Sequence, residues 1–424
     1  MNSRERVLKA INHQEPDRLP IDIGGMRSTG IGALAYKELR KYLGINDHPL
    51  KLYDVWQQLA YIDDDILEYF HGDVRSIERM YSVWWNPDIT LDKWKDGQLT
   101  DGTKALVPEG FSPVKEGESY LIKNGRGETV AKRPQGGLYY DHVGIYHPLS
   151  QATNINELKK QYRDLFPKGQ DITPEEQDYL RGESRKLRKN TDYALLAYFG
   201  GSLFEMGQYL RGYEQWFIDI AENKEEGIAS CLLDLLLEDY LKGLNTFIKV
   251  VGENADIIGF GGDDLGMQTS PLISPATYRQ LFKPGHQEMW DLVKRKSTYK
   301  IFLHSCGSIA ELLPDIIEAG VEIINPVHIN ARGMEPERLK REFGQDIVFW
   351  GGGCDTQRVL PRGTIEDIEE EVKKNISTFA PGGGFVFAPV HNIQPDIPPE
   401  KIVRLYETAY TYGKQVYSTV TKAI

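Results

Sequence analysis

The sequence predicts a single (β/α)8 TIM barrel with a β-rich insertion in its second βα connection, and three observations carry that reading. Eight short β-type runs of mostly apolar residues are spaced along the chain. From the third onward, each is followed by a helical pattern of ten or more residues, and strand alternating with helix implies parallel pairing through crossover helices. Strands so uniformly apolar are buried on both faces, as a closed barrel requires. No Gly-x-Gly-x-x-Gly follows the first run, so a doubly wound dinucleotide-binding sheet lacks its fingerprint.

The elements follow in order. Ser3, with Glu5 and Arg6, opens a capped helix reaching about Gln14. Pro16 and Pro20 frame the first strand, Leu19–Ile23, which ends in Gly24-Gly25. The second strand is Val74–Ile77. After it the rhythm breaks: from Trp84 the chain is rich in Gly, Asp and Tyr, with hairpin signals at Asp101-Gly102 and Asn124-Gly125. Residues 84–150 therefore read as an insertion within a domain spanning 1–424, covering the barrel mouth or an interface. Helical patterns resume near Ile155 and Pro174. The remaining strands are Tyr193–Phe199, Ile257–Gly261, Tyr299–His304, Val321–Asn325, Ile347–Gly351 and Phe385–Ala388. Helices are expected at Pro275–Lys296, Ile309–Ala319, Ile365–Thr378 and Glu400–Tyr412, with Gly320 and Gly344 as C-cap glycines.

Composition narrows the function. With 40% hydrophobic and 26% charged residues, the 424-residue chain is an ordinary globular protein. A net charge of −12 argues against nucleic acid, whose phosphates need clustered Lys and Arg. The basic stretch Arg181–Lys189 is broken by Gly, Glu and Ser and reads as a solvated helix face. Three cysteines (Cys231, Cys306, Cys354) imply a reducing cytoplasm rather than a disulfide scaffold. Met1–Arg6 is charged with no apolar core behind it, which predicts no secretory leader. No run of 18 apolar residues predicts a membrane span, and Cys231 on the most apolar helix reads as core.

In such barrels the chemistry gathers at the C-terminal strand ends. Those ends carry Arg27 after the first strand, Asp263 and Asp264 after the fourth, and His304 with Cys306 at the fifth. Asn325 and His328 follow the sixth, Cys354 and Asp355 the seventh, His391 and Asn392 the eighth. His304 and Cys306 are two residues apart, so their side chains share one side of a strand. Zinc takes three or four Cys, His or carboxylate ligands; without paired Cys-x2-Cys spacing, an open catalytic site is expected. His304 and Cys306 are the firm pair, and Cys354 and His391 compete for the third and fourth positions. Asp263 and Asp264 are carboxylate alternatives and, with His391, catalytic candidates; the competing role for the aspartates is capping a helix or fixing a loop. Arg27 suits a substrate carboxylate or phosphate, with His328 and Asn325 as further substrate-binding candidates. Tyr139-Tyr140 and Trp84-Trp85 read as pocket lining for a flat ligand or as core.

On these residues the chain resembles the uroporphyrinogen decarboxylase superfamily. The likeness runs over most of the length, weakest across the insertion. It is carried by Arg4–Asn12 with Pro16–Pro20, by Ser274-Pro275 with Tyr278-Arg279 and Lys283-Pro284, by His304-Ser305-Cys306-Gly307 and Asn325-Pro326, and by Pro389–Gln394 with Pro398-Pro399-Glu400. The resemblance implies a (β/α)8 barrel and two branches of activity. Uroporphyrinogen decarboxylases resemble one another in an arginine-rich segment after the first strand; here Gly24–Gly30 holds the single Arg27. The other branch contains zinc-dependent methyltransferases whose metal is held by a His-x-Cys pair and a later cysteine, where this chain has His391 after strand eight. The resemblance thus implies methyl transfer between a methylated corrinoid and a thiol or tetrahydrofolate. Zn2+ would be the cofactor and methylcobalamin on a partner corrinoid protein the co-substrate, since no Asp-x-His-x-x-Gly cobalamin motif occurs here. Decarboxylation of a tetrapyrrole or related polycarboxylate, and non-catalytic corrinoid or tetrapyrrole binding, are the alternatives.

Overall fold

The computed structural model describes the chain except residues 46–47, 82, 84–87, 125–126, 144–146, 168, 170, 223–226 and 421–424. The expectations for Trp84-Trp85 and for the turn at Gly125 lie outside the described residues. Among the described residues, seven strands form one parallel sheet in sequential order: β1 (Val74–Ile77), β2 (Ala194–Tyr198), β3 (Ile257–Phe260), β4 (Lys300–His304), β5 (Ile323–Asn325), β6 (Val348–Trp350) and β7 (Phe385–Val386).

The first expected strand does not form a ladder of its own, yet it joins the two sheet edges. Asp22 N donates to Phe387 O at 2.8 Å and Phe387 N to Pro20 O at 2.9 Å, while Asp73 N donates to Ile21 O at 2.8 Å. Pro20 has no N–H and the backbone turns at Gly24 (φ +75°), so the segment is too short for regular pairing. A buried carboxylate completes the seam. Asp73 accepts from Ile21 N at 3.0 Å, Arg6 Nη1 at 2.7 Å and Arg18 Nη1 at 2.7 Å.

Alternation along the strands divides the interior into two layers. Val74, Leu196, Ile257, Phe302, Ile323, Val348, Trp350 and Val386 form one cluster with Val7 and Ile11 of the first helix, α1 (Ser3–Ile11). That cluster fills the barrel, and α1 plugs its N-terminal end. The alternate residues, such as Leu195, Ile258, Ile301, Leu303, Ile324 and Phe349, belong to the larger cluster between sheet and outer helices. Because the side-chain period is two, His304 follows Phe302 and Asn325 follows Ile323 inward, one step nearer the C-terminal mouth.

Some ends differ from the sequence reading. The cap of α1 is Asn2, not Ser3; Asn2 Oδ1 accepts from Glu5 N at 2.8 Å and Glu5 returns a bond to Asn2 N. The helix stops at Ile11. Gly320 ends its helix at φ +120°, whereas Gly344 stays right-handed at φ −67° and needs no glycine geometry. Between β1 and β2, Trp94–Gln98 pairs antiparallel with Lys104–Pro108, and Val114–Glu116, Ser119–Lys123, Thr129–Arg133 and Asp141–His142 form a second antiparallel sheet.

Asp73→Asn keeps the shape of the seam but removes the charge facing Arg6 and Arg18. It is expected to destabilise the fold by about 3–5 kcal/mol, as loss of one partner from a buried ion pair does, read as a lower urea midpoint at unchanged slope.

Candidate metal centre and cleft

His304 is the last residue of β4 and lies in register with Asn325, the last of β5. Cys306 stands two residues beyond, in a loop pressed against the loop that follows β3. A Cβ on Gly307 (φ +88°) would sit 2.3 Å from the Gly266 backbone, so only glycine permits the approach. Gly266 N donates to Cys306 O at 3.1 Å, and Asp264 Oδ1 accepts from Cys306 N at 2.7 Å. The third member, His391, follows β7. The ligand atoms of His304, Cys306 and His391 all lie within 4.8 Å of one another, so this group could hold a metal.

The donor chemistry fits zinc. Asn325 Nδ2 donates to Trp350 O at 2.8 Å, which a carbonyl can only accept, so the amide orientation is fixed. Its Oδ1 therefore accepts from His304 Nδ1 at 2.7 Å and from Ser28 Oγ at 2.7 Å. His304 thus carries its proton on Nδ1 and turns the Nε2 lone pair toward Cys306 Sγ, 3.4 Å away. Tetrahedral zinc needs donor–donor separations of roughly 3.3–3.6 Å, so the widest pair, within 4.8 Å, must close by at most about 1.5 Å. His391 lies beside the Asn392 side chain, and burial and neighbouring His304 push its pKa down to about 4. The His391 imidazole therefore offers a neutral lone pair at neutral pH. Burial, and then Asp264, push the Cys306 thiol up, so it keeps its proton unless a cation replaces it.

The other candidates fall in different places. Cys354 does not join the group, which corrects its reading as a ligand. Gly351 and Gly352 (φ +109° and +75°) turn the chain away from the barrel axis, and the thiol is buried against Glu371 of the Ile365–Phe379 helix. Asp263 is occupied structurally, which corrects its catalytic reading. Its oxygens accept from Leu203 N, Phe204 N and Glu205 N at 2.7–3.1 Å and pair with His286 Nε2 at 2.7 Å. It caps the helix after β2, not the one after β3. Asn325 orients His304 from full burial and is not positioned to bind substrate. His328 Nδ1 accepts from Gly307 N at 3.2 Å, supporting the Cys306 loop.

Arg27 does reach the cleft, but its charge is already met. Its Nε lies 2.9 Å from Asp54 Oδ2 and its Nη2 3.5 Å from Glu78 Oε2. The cleft has a volume of about 590 Å³, with His304 and His391 in its wall, and Tyr198, Phe199, Tyr209 and Tyr240 among its aromatic lining. Tyr139 lines it too, donating to Asn392 Oδ1 at 2.8 Å and accepting from Gln394 Nε2 at 2.7 Å. Sequence reasoning missed Glu205, which faces Asp264 in the same wall. The signal for it was Gly200-Gly201-Ser202, directly after β2 at the same end of the barrel.

Comparison with known proteins places these features in context. A family model described as uroporphyrinogen decarboxylase (URO-D) matches residues 167–412. A uroporphyrinogen decarboxylase of Geobacter sulfurreducens is 22% identical over 274 residues, covering 63% of this chain and 73% of its own. A second, from Vesicomyosocius okutanii, is 30% identical over 82 residues, 19% of this chain and 23% of its own. Among solved structures, a methyltransferase from Methanosarcina mazei superposes with a TM-score of 0.55 at 16% identity, covering 97% of this chain and 99% of that one. At that identity the likeness shows the barrel fold alone. Among the described residues, no helix is long and apolar enough to cross a membrane.

If Asn325 and Asn392 set the imidazole orientation, Asn325→Ala and Asn392→Ala should each weaken zinc binding about 10–100-fold, measured by chelator competition. Cys354→Ser should leave that affinity unchanged.

Proposed function

The chain belongs to the uroporphyrinogen decarboxylase family, whose model spans residues 167–412, and within it we propose that the protein is a zinc-dependent methyltransferase acting between a methylated corrinoid and a thiol or tetrahydrofolate. The observation that carries this reading is the His304–Cys306–His391 group, whose two histidines line the cleft. Three protein donors leave a fourth position for a substrate, the catalytic rather than the structural pattern. Zinc held by these residues would lower the pKa of an acceptor thiol, which as thiolate is nucleophilic at neutral pH.

The chain's own residues prepare that centre. Asn325 orients the His304 imidazole, and Asp264 fixes the Cys306 backbone. A methylated corrinoid brought to this centre would offer an electrophilic methyl group to a thiol held there. A partner corrinoid protein would present it at the C-terminal mouth.

Decarboxylation of a tetrapyrrole or related polycarboxylate is favoured by the names of the curated relatives. The charges of the cleft weigh against it. Its two arginines, Arg27 and Arg79, are each paired with carboxylates of the wall or its surroundings. A polycarboxylate would meet no uncommitted guanidinium there.

Elemental analysis of the purified protein is expected to find about one zinc per chain, lost in His304→Ala and in Cys306→Ser. The loaded protein should demethylate methylcobalamin in the presence of a thiol, and chelation should abolish this. A wild type that is metal-free when prepared without chelators, or that releases CO2 from uroporphyrinogen without metal, would sink the methyltransferase reading.

A further inference from the structure

The cleft treats positive charge in a distinctive way. Each of its cations is held between a carboxylate and an aromatic face. Arg27 stands 5.2 Å over the Tyr198 ring beside Asp54, and Arg79 stands 5.9 Å over the Phe199 ring with its Nε bonded to Glu176 at 2.5 Å. Next to the metal-capable group, Glu205 and Asp264 line the same cleft; Asp264 Oδ1 lies 3.6 Å from His304 Nε2, and neither carboxylate makes an ion pair with a Lys or Arg among the described residues. Tyr209 and Tyr240 line the same space. Carboxylates and ring faces are the two groups that solvate an organic ammonium ion, and both lie in one wall.

Resting on the methyl-transfer reading above, we propose that the acceptor thiol is an aminothiol, its sulfur directed to the His304–Cys306–His391 group and its ammonium held by Asp264, Glu205 and the neighbouring tyrosines. Methylation then forms the C–S bond as the Co–C bond of the methylcorrinoid breaks, leaving its electron pair on cobalt. The thiol proton passes to water, and the ammonium group is spectator and anchor. An anionic or neutral thiol of equal length lacks the anchor, and an anionic one is also repelled.

Two sets of probes test this on the full-length, zinc-loaded protein. In calorimetry, choline is expected to bind at least about tenfold more tightly than its uncharged carbon isostere neohexanol, and tert-butylacetate least of all. Asp264→Asn preserves the acceptor for Cys306 N, and it should cut the choline preference severalfold, as should Glu205→Gln. With methylcobalamin as donor, cysteamine should surpass mercaptoethanol in kcat/KM, and mercaptopropionate should fall below both. Equal binding of choline and neohexanol overturns the proposal, as does a preference for cations that disappears on zinc loading, because the carboxylates would then serve the metal. If choline preference persists while no thiol is methylated, the methyl-transfer reading falls and with it the aminothiol; the cation subsite alone stands. If thiols are methylated without regard to charge, methyl transfer stands and the aminothiol is excluded.

Discussion

The architecture hangs on how the sheet is closed. Seven strands pair through ordinary parallel ladders, but across the seam the chain offers only a few backbone bonds around Pro20–Asp22. Asp73 supplies what the backbone cannot, accepting from the Ile21 amide and from two guanidiniums while fully buried. A charge so enclosed is tolerable only when every lone pair is used, so the seam is held in one geometry. That geometry matters at the other end of the barrel. It sets the loop after the first segment, with Arg27 and Ser28, opposite the ends of β4 and β5, where Ser28 reaches the same Asn325 oxygen that orients His304.

Local patterns in the sequence made much of this legible. The barrel follows from strand and helix alternation, and the inward course of His304 and Asn325 follows from the two-residue period of their strands. The His304–Cys306 pair is readable for the same reason: the residues that bring it together are adjacent in the chain. Where a side chain's direction depends on a turn or a distant partner, the sequence was silent. Cys354 looks equivalent to other residues just past a strand, but a glycine turn and the helix bearing Glu371 decide that it points outward. Arg27 is basic by composition, yet its value as an anion hook is cancelled by Asp54 and Glu78, 27 and 51 positions away. Asp263 caps a helix from the preceding βα unit, a contact made by tertiary packing rather than by neighbours in sequence.

Burial acts on the centre in two directions. It disfavours the charged forms of His391 and Cys306 alike, leaving one a lone-pair donor and the other a protonated thiol. The same desolvation makes adjacent Glu205 and Asp264 poor neighbours, and Glu205 is pushed well above the ordinary carboxylate range by burial and then by Asp264. Such a wall gains most from a cation and least from further negative charge.

The imidazoles of the centre have amides at their backs: His304 is bonded to Asn325, and the Asn392 side chain lies beside His391. A carboxylate behind a ligating histidine draws the ring toward imidazolate and raises its basicity, feeding electron density to the ion in front. An amide fixes the tautomer without that push. A divalent ion bound by these residues would keep more of its own charge and act as a harder Lewis acid than the same ion supported by aspartates.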